Sequence, residues 1–177
     1  MAIIWGLLVL AVARPQWLGE PIDIPVEGRN LMLAVDVSGS MKEQDMLLQG
    51  AQTDRLTIVK SIVAEFIEKR VGDRVGLILF GTNAYIQAPL SFDRKTINTL
   101  VDESQIGIAG DKTAIGDAIG LAVKRLREID SKDKVLILLT DGENTAGAVE
   151  PIKAGKIAAD AGLKIYTIGI GADEAYR

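Results

Sequence analysis

The chain has 177 residues, 48% hydrophobic and 25% charged, with 20 basic and 24 acidic side chains, a net charge of −4 and a pI near 4.9. This acidic balance, with no basic run to override it, argues against a nucleic-acid backbone as the main partner. Cysteine and histidine are both absent, which removes disulfides, thiolate nucleophiles, imidazole bases and the usual zinc ligands, so that any metal must be a hard ion held by oxygen.

The first element is apolar. Ala2–Ala13, "AIIWGLLVLAVA", carries no charge and ends at Arg14-Pro15. A spanning helix needs about 20 such residues, so the run is too short to cross a bilayer alone. Three readings stand: the last turns of a spanning helix, a signal peptide, or a packed core segment. No Lys or Arg precedes the run, which weakens the second, and Trp17 beyond it suits a membrane interface. We read residues 1–14 as the end of a transmembrane helix. Residues 15–29, with Pro15, Pro21 and Pro25 and no helical period, read as an extended linker.

Residues 30–177 alternate apolar strands with amphipathic helices, in a body large enough to bury roughly 70% of its unfolded surface. Leu31–Val37 predicts a buried strand, and the apolar stripe within Asp54–Val71 a helix capped by Thr53 or Asp54. Arg74–Gly81 and Ala84–Leu90, joined by a tight turn, predict an antiparallel pair with the second strand at an edge. A short helix is expected over Asp93–Val101, and the cleanest helical period runs over Thr113–Ile129. Val135–Leu139 is a fully covered strand, Pro151–Ala161 a helix with proline in its first turn, and Lys164–Ile170 the last strand. Only "GADEAYR" comes after it, so a final covering helix is expected to be truncated. The pattern is α/β: a doubly wound, mostly parallel sheet with one antiparallel edge strand and helices on both faces.

In such sheets ligands sit beyond the C-terminal strand ends, near the point where strand order reverses. "DVSGSM" puts Asp36, Ser38 and Ser40 at one such end, "LLTDGEN" puts Asp141 at another, and "AGDKTAIGD" puts Thr113 at the start of the best helix on the same rim. Two carboxylates and three hydroxyls are ligands for Mg²⁺, which prefers six oxygens at about 2.0–2.1 Å. An extended chain from Asp36 to Ser40 would span roughly 13 Å, so the segment must curl, and Gly39 gives it the freedom. Two negative charges against a divalent ion leave it electrophilic enough to recruit one more anionic oxygen. Each feature alone has a plainer reading: the serines and Thr113 as caps, Asp141-Gly142 as a turn.

"DVSGSM", the threonine of "GDKTAIGDAI" and "ILLTDGEN" resemble the von Willebrand factor A domain and its metal-ion-dependent adhesion site, over nearly all of Asn30–Gly171. The resemblance implies a Rossmann-like fold and a metal site made of Asp36, Ser38, Ser40, Thr113 and Asp141, taking Mg²⁺ with Mn²⁺ or Ca²⁺ as substitutes. "ARPQW", "DRLTIVKSIVAEFIEKR", "DRVGLILFGTNAYIQAPLSFD" and "YTIGIGA" resemble bacterial aerotolerance (Bat) proteins of the BatA/BatB kind. Their A domain lies between transmembrane helices, and members are associated with MoxR-type AAA+ ATPases. The arrangement implies an inner-membrane anchor, a periplasmic domain, and other Bat-like proteins among the partners. "KEQDMLLQGAQTDRL" is longer than the family's usual link, and its extra residues around Met46–Ala51 lie next to the site.

The expected function is metal-dependent binding of a protein partner through its Asp or Glu, without catalysis. Two alternatives are a structural domain with a vestigial site and a Mg²⁺-dependent phosphoryl-transfer enzyme. The enzyme lacks support: the position two after Asp36 is Ser38 rather than a second acid, and "GIAGDKT" breaks the G-K-[ST] of a phosphate loop. Met41, Lys112, Glu143 and Asn144 flank the metal loops and are candidates for partner discrimination. Gly116 and Gly120 are expected to let a helix approach the sheet, and Lys124, Arg125 and Arg127 to form a solvated basic face.

Overall fold

The computed structural model describes residues 2–13, 28–48, 50–129, 131 and 133–171. Helix α1, Ala2–Ala13, is 12 residues long, about 18 Å at 1.5 Å per residue against a hydrocarbon core of roughly 30 Å. Among the described residues no helix is long and apolar enough to cross a membrane. The expected linker falls largely outside the described residues, and so do residues 172–177, on which the expectation of a truncated final helix rests.

Strand β1, Asn30–Asp36, is buried along its whole length. A 3₁₀ turn comes next at Gly39–Lys42, then β2 (Met46–Leu48) and β3 (Ala51–Thr53), α2 (Arg55–Glu68), β4 (Arg74–Phe80), β5 (Ala84–Ser91), α3 (Arg94–Asp102), α4 (Ile115–Arg127), β6 (Lys134–Thr140), α5 (Pro151–Asp160) and β7 (Lys164–Gly169). The main sheet runs β5-β4-β1-β6-β7. β1 pairs in parallel with β4 and β6, β6 with β7, and only β5 runs antiparallel, at the edge. The chain leaves β1 toward β4 and later crosses to β6 on the other side, so strand order reverses at β1.

Alternate residues of β1 feed two cores, as a period of two requires. Leu31, Leu33 and Val35 pack with Leu56, Val59, Val63 and Ile67 of α2 and Ile97 of α3. Met32 and Ala34 pack with Ala118, Ala122 and Leu126 of α4 and Ala154 and Ala158 of α5. Helices therefore cover both faces, as the sequence predicts. Among the described residues the side chains of β7 are mostly exposed; beside it lies a groove of about 500 Å³ lined in part by Leu31, Phe66, Val135, Tyr166 and Ile168.

One element is not anticipated from the sequence, and two expectations need correction. The segment after the 3₁₀ turn is an antiparallel hairpin, β2–β3, turned at Gly50 with φ +85°, a conformation suited to glycine. Helix α4 starts after Thr113, with Ala114 at its N-cap position. Gly116 serves close packing, but against the chain before α5 rather than the sheet: a Cβ there would lie 1.8 Å from the Val149 carbonyl oxygen, whereas one at Gly120 would meet nothing within 4 Å.

Candidate metal centre

The strand ends assemble the site. Register pairs Val35 with Leu139, which sets Asp36 beside Thr140 at the C-terminal rim of the two central strands. Asp36 is wholly buried. Its Oδ1 accepts the Ser38 backbone N–H at 2.9 Å and its Oδ2 accepts the Thr140 hydroxyl at 2.7 Å. Burial pushes this carboxyl above its ordinary value, against the pull of hydrogen bonds from Ser38 and Thr140, and the nearby Asp141 charge pushes the same way as burial.

The 3₁₀ turn curls the chain at Gly39, as the distance from Asp36 to Ser40 demands. Gly39 is not among the residues with positive φ. A Cβ there would make only an ordinary contact, 3.4 Å from the Asp111 carbonyl oxygen, so neither φ nor space demands a glycine; what the position contributes is its N–H, which donates to that same carbonyl at 3.0 Å. That bond ties the β1 loop to the loop carrying Thr113.

Thr113 is held from the other side by the loop after β6. Its N–H donates to the Thr145 hydroxyl at 3.0 Å, and its carbonyl accepts the N–H groups of Thr145 and Ala146 at 2.9 and 3.1 Å. The α4 N-terminus takes its cap from the same loop, since Asn144 Oδ1 accepts the Ile115 N–H at 2.8 Å. Asp117 in the first turn accepts the N–H groups of Ala148 and Val149, each at 3.0 Å. With the cap supplied from elsewhere, the Thr113 side chain is free to point at Ser38.

The hydroxyls and acids form one connected set. Thr113 Oγ1 donates to Ser38 Oγ at 3.1 Å, Ser38 and Ser40 hydroxyls lie 3.1 Å apart, and Ser40 donates to Asp141 Oδ1 at 2.8 Å. The structure thus brings all five sequence-predicted residues to one place: Asp36, Ser38, Ser40, Thr113 and Asp141. Among the described residues no cluster of three or more His, Cys, Asp or Glu could hold a metal. Here two carboxylates and three hydroxyls converge, with oxygen donors throughout. That donor chemistry fits a hard divalent cation and is unsuited to a soft one.

Sequence reasoning missed two neighbours. Thr140, which lies within "LLTDGEN" beside Asp141, orients Asp36. Arg55, the first residue of α2, donates from Nη1 to Asp141 Oδ2 at 2.6 Å, and from Nε and Nη2 to the two oxygens of Asp45 at 2.9 and 2.5 Å. Those hydrogen bonds, Asp45 first, outweigh burial and raise the already high pKa of Arg55. Its partners lie 10 and 86 positions away, so no local spacing marks it. Met41, predicted to flank the site as a surface residue, is fully buried in the core beneath the turn, which removes it as a discriminating contact. Lys112, Glu143 and Asn144 are exposed as expected, although Asn144 is engaged as the α4 cap.

The model of the von Willebrand factor type A domain matches residues 30–177. An aerotolerance-related membrane protein from Bacteroides fragilis is 28% identical with a TM-score of 0.74, over 83% of this chain and 70% of that one. BatB from Bacteroides thetaiotaomicron is 30% identical with a TM-score of 0.70, over 80% of this chain and 66% of that one. A membrane-spanning protein from Vibrio fischeri is 50% identical with a TM-score of 0.55, over 80% and 70% of the two chains. An uncharacterized protein of Borreliella burgdorferi is 27% identical over 170 residues, 96% of this chain; the chain spans about half, 49%, of that relative's length.

Proposed function

Since the chain belongs to the von Willebrand factor type A domain family, a fold of metal-dependent adhesion and protein interaction with Bat proteins among its neighbours, we propose that it binds a protein partner through a divalent ion. The ion is Mg²⁺, with Mn²⁺ or Ca²⁺ as substitutes. Asp36, Ser38, Ser40, Thr113 and Asp141 hold it. When bound, it supplies a Lewis-acidic position for one oxygen of an Asp or Glu of the partner. The observation that carries this reading is the connected contact from Thr113 through Ser38 and Ser40 to Asp141, beside the buried Asp36.

The chain's own contribution is to orient oxygens. Thr140 and the Ser38 N–H fix the Asp36 carboxylate, and the loops around Asp111 and Thr145 hold Ser38 and Thr113 in register. The position two residues after Asp36, where a phosphoryl-transfer site would place its acid/base partner, holds the hydroxyl of Ser38. That favours a binding module over a phosphoryl-transfer enzyme. The partner set includes other Bat-like proteins and a MoxR-type AAA+ ATPase system. The apolar Ala2–Ala13 helix belongs to a membrane anchor, in the bacterial inner membrane, with the A domain in the periplasm.

Calorimetric titration of Mg²⁺ into the wild-type chain and Asp36→Ala tests the metal. Saturable binding in the first that is lost in the second is expected; superimposable curves would sink the reading. Affinity capture from membranes with and without chelator tests the partner, which should be retained only when the ion is present.

A further inference from the structure

The site already contains a cation of its own. The side chain of Arg55 is 18% exposed and lies against the wholly buried side chain of Asp141. Of the two Asp141 oxygens, Oδ1 takes the Ser40 hydroxyl and Oδ2 takes Arg55 Nη1. On its other edge the guanidinium grips both oxygens of Asp45, the last residue before the β2–β3 hairpin. The Arg55 backbone N–H also donates to the Glu43 carbonyl at 3.2 Å. The hairpin's Met46 tucks against the core while Leu47 faces solvent.

We propose that Arg55 is a built-in competitor of the divalent ion at Asp141, and that Asp45, at the foot of the hairpin, sets how strongly it competes. The inference rests on the metal-dependent reading above. Its basis is charge. Asp36, Asp45 and Asp141 against Arg55 leave two net negative charges, a match for one divalent cation. Removing the guanidinium leaves three, which attract the ion more strongly and free the outer oxygen of Asp141. Removing the Asp45 carboxylate leaves one, and turns Arg55 wholly onto Asp141. A unit charge at the edge of a divalent site, seen through a water-like dielectric, is worth on the order of tenfold in affinity. The bidentate fork makes Asp45 the stronger of the two grips on Arg55. Displacement of the hairpin is therefore transmitted to the ion through one side chain.

The test is Mg²⁺ calorimetry on the full chain and three variants, with circular dichroism to check folding. Arg55→Met is expected to bind Mg²⁺ about tenfold more tightly than wild type, Asp45→Asn about tenfold more weakly, and the double variant close to wild type. Weaker or unchanged binding by a folded Arg55→Met overturns the proposal, as does a shift of both single variants in one direction. If Arg55→Met does not fold, Asp45→Asn decides alone: weaker binding supports competition, and unchanged or tighter binding ends it. A wild-type chain that takes up no Mg²⁺ defeats the metal reading and this inference with it; a wild-type chain that binds while the variants do not move defeats this inference only.

Discussion

The hydroxyls of Thr113 and Ser38 meet at 3.1 Å across 75 positions of sequence, both buried. Neither residue belongs to a regular element. Thr113 sits between the Gly81 turn, whose carbonyl accepts the Ala114 N–H at 2.8 Å, and the Thr145 loop, while Ser38 is pinned by Asp36. The two loops are also tied to each other, by the Gly39 N–H to the Asp111 carbonyl at 3.0 Å and the Gly107 N–H to the Val37 carbonyl at 2.6 Å, and together they deliver the contact. Replacement of Thr113 by valine keeps the shape and removes the oxygen. We expect Thr113→Val to retain its circular dichroism spectrum and to lose Mg²⁺ affinity by at least about tenfold, the scale on which supports of metal sites act. Calorimetry checks this, and an unchanged affinity would remove Thr113 from the site.

Thr140 acts one step behind the proposed ligands. Its hydroxyl is the partner of Asp36 Oδ2 at 2.7 Å, in a place where burial already disfavours the charge. Thr140→Val leaves that oxygen without its donor. In chelator, where no ion can compensate, urea unfolding should register a loss of about 1–3 kcal/mol, the cost of an unsatisfied buried acceptor. Mg²⁺ affinity should fall roughly 10- to 100-fold. A variant as stable as wild type in chelator would contradict the assigned role of the hydroxyl.

Asp36 directly after a run of aliphatics is enough to place a carboxylate at the C-terminal end of a parallel strand, and Ser38 and Ser40 are close enough in sequence to be carried to the same rim by the turn that follows. Val135–Leu139 and the stripe of α4 are equally legible, since burial on both faces or on one imposes its own period. What escapes is set by distant partners. The Thr113 side chain has no capping role because Asn144, 29 positions from the Ile115 N–H it accepts, supplies the cap. Met41 reads as a surface residue in a polar loop until a 3₁₀ turn points it inward. The β2–β3 hairpin has strands of three residues each, too short for any periodicity to declare itself.

Asp54 gives a pH-dependent test of the helix that carries Arg55. Its Oδ1 accepts the Thr57 N–H at 2.9 Å and its Oδ2 the Thr57 hydroxyl at 2.8 Å. Burial alone would raise its pKa, but the hydrogen bonds from Thr57 outweigh that and hold it below the ordinary 3.8. A carboxyl with a lowered folded-state pKa contributes stability that is present above the unfolded value and lost as pH falls through the folded one. Asp54→Ala should therefore cost about 1 kcal/mol at neutral pH, and the gap between the melting curves of the two proteins should narrow below about pH 4. A gap that persists undiminished at pH 2 would mean that the cap acts without its charge.

Two glycines of one helix should respond with opposite signs. A methyl group at Gly116 would be driven to 1.8 Å from the Val149 carbonyl oxygen. That atom belongs to backbone anchored by Asp117 through the neighbouring N–H groups of Ala148 and Val149, so it cannot swing aside as a flexible side chain would. Gly116→Ala should cost about 1–3 kcal/mol or more, and because the displaced segment leads back to Asn144 and Thr145, it should also weaken Mg²⁺ binding. Gly120, one turn on in the same helix, has open space where its Cβ would stand. Gly120→Ala relieves the entropic cost of glycine in a helix interior and should stabilise by about 0.5–1 kcal/mol without changing ion affinity. Urea unfolding of the two variants side by side separates packing from propensity. A Gly116→Ala protein as stable as wild type would place α4 farther from the Val149 loop than the structure has it, and would loosen the link by which that loop holds Thr113 at the site.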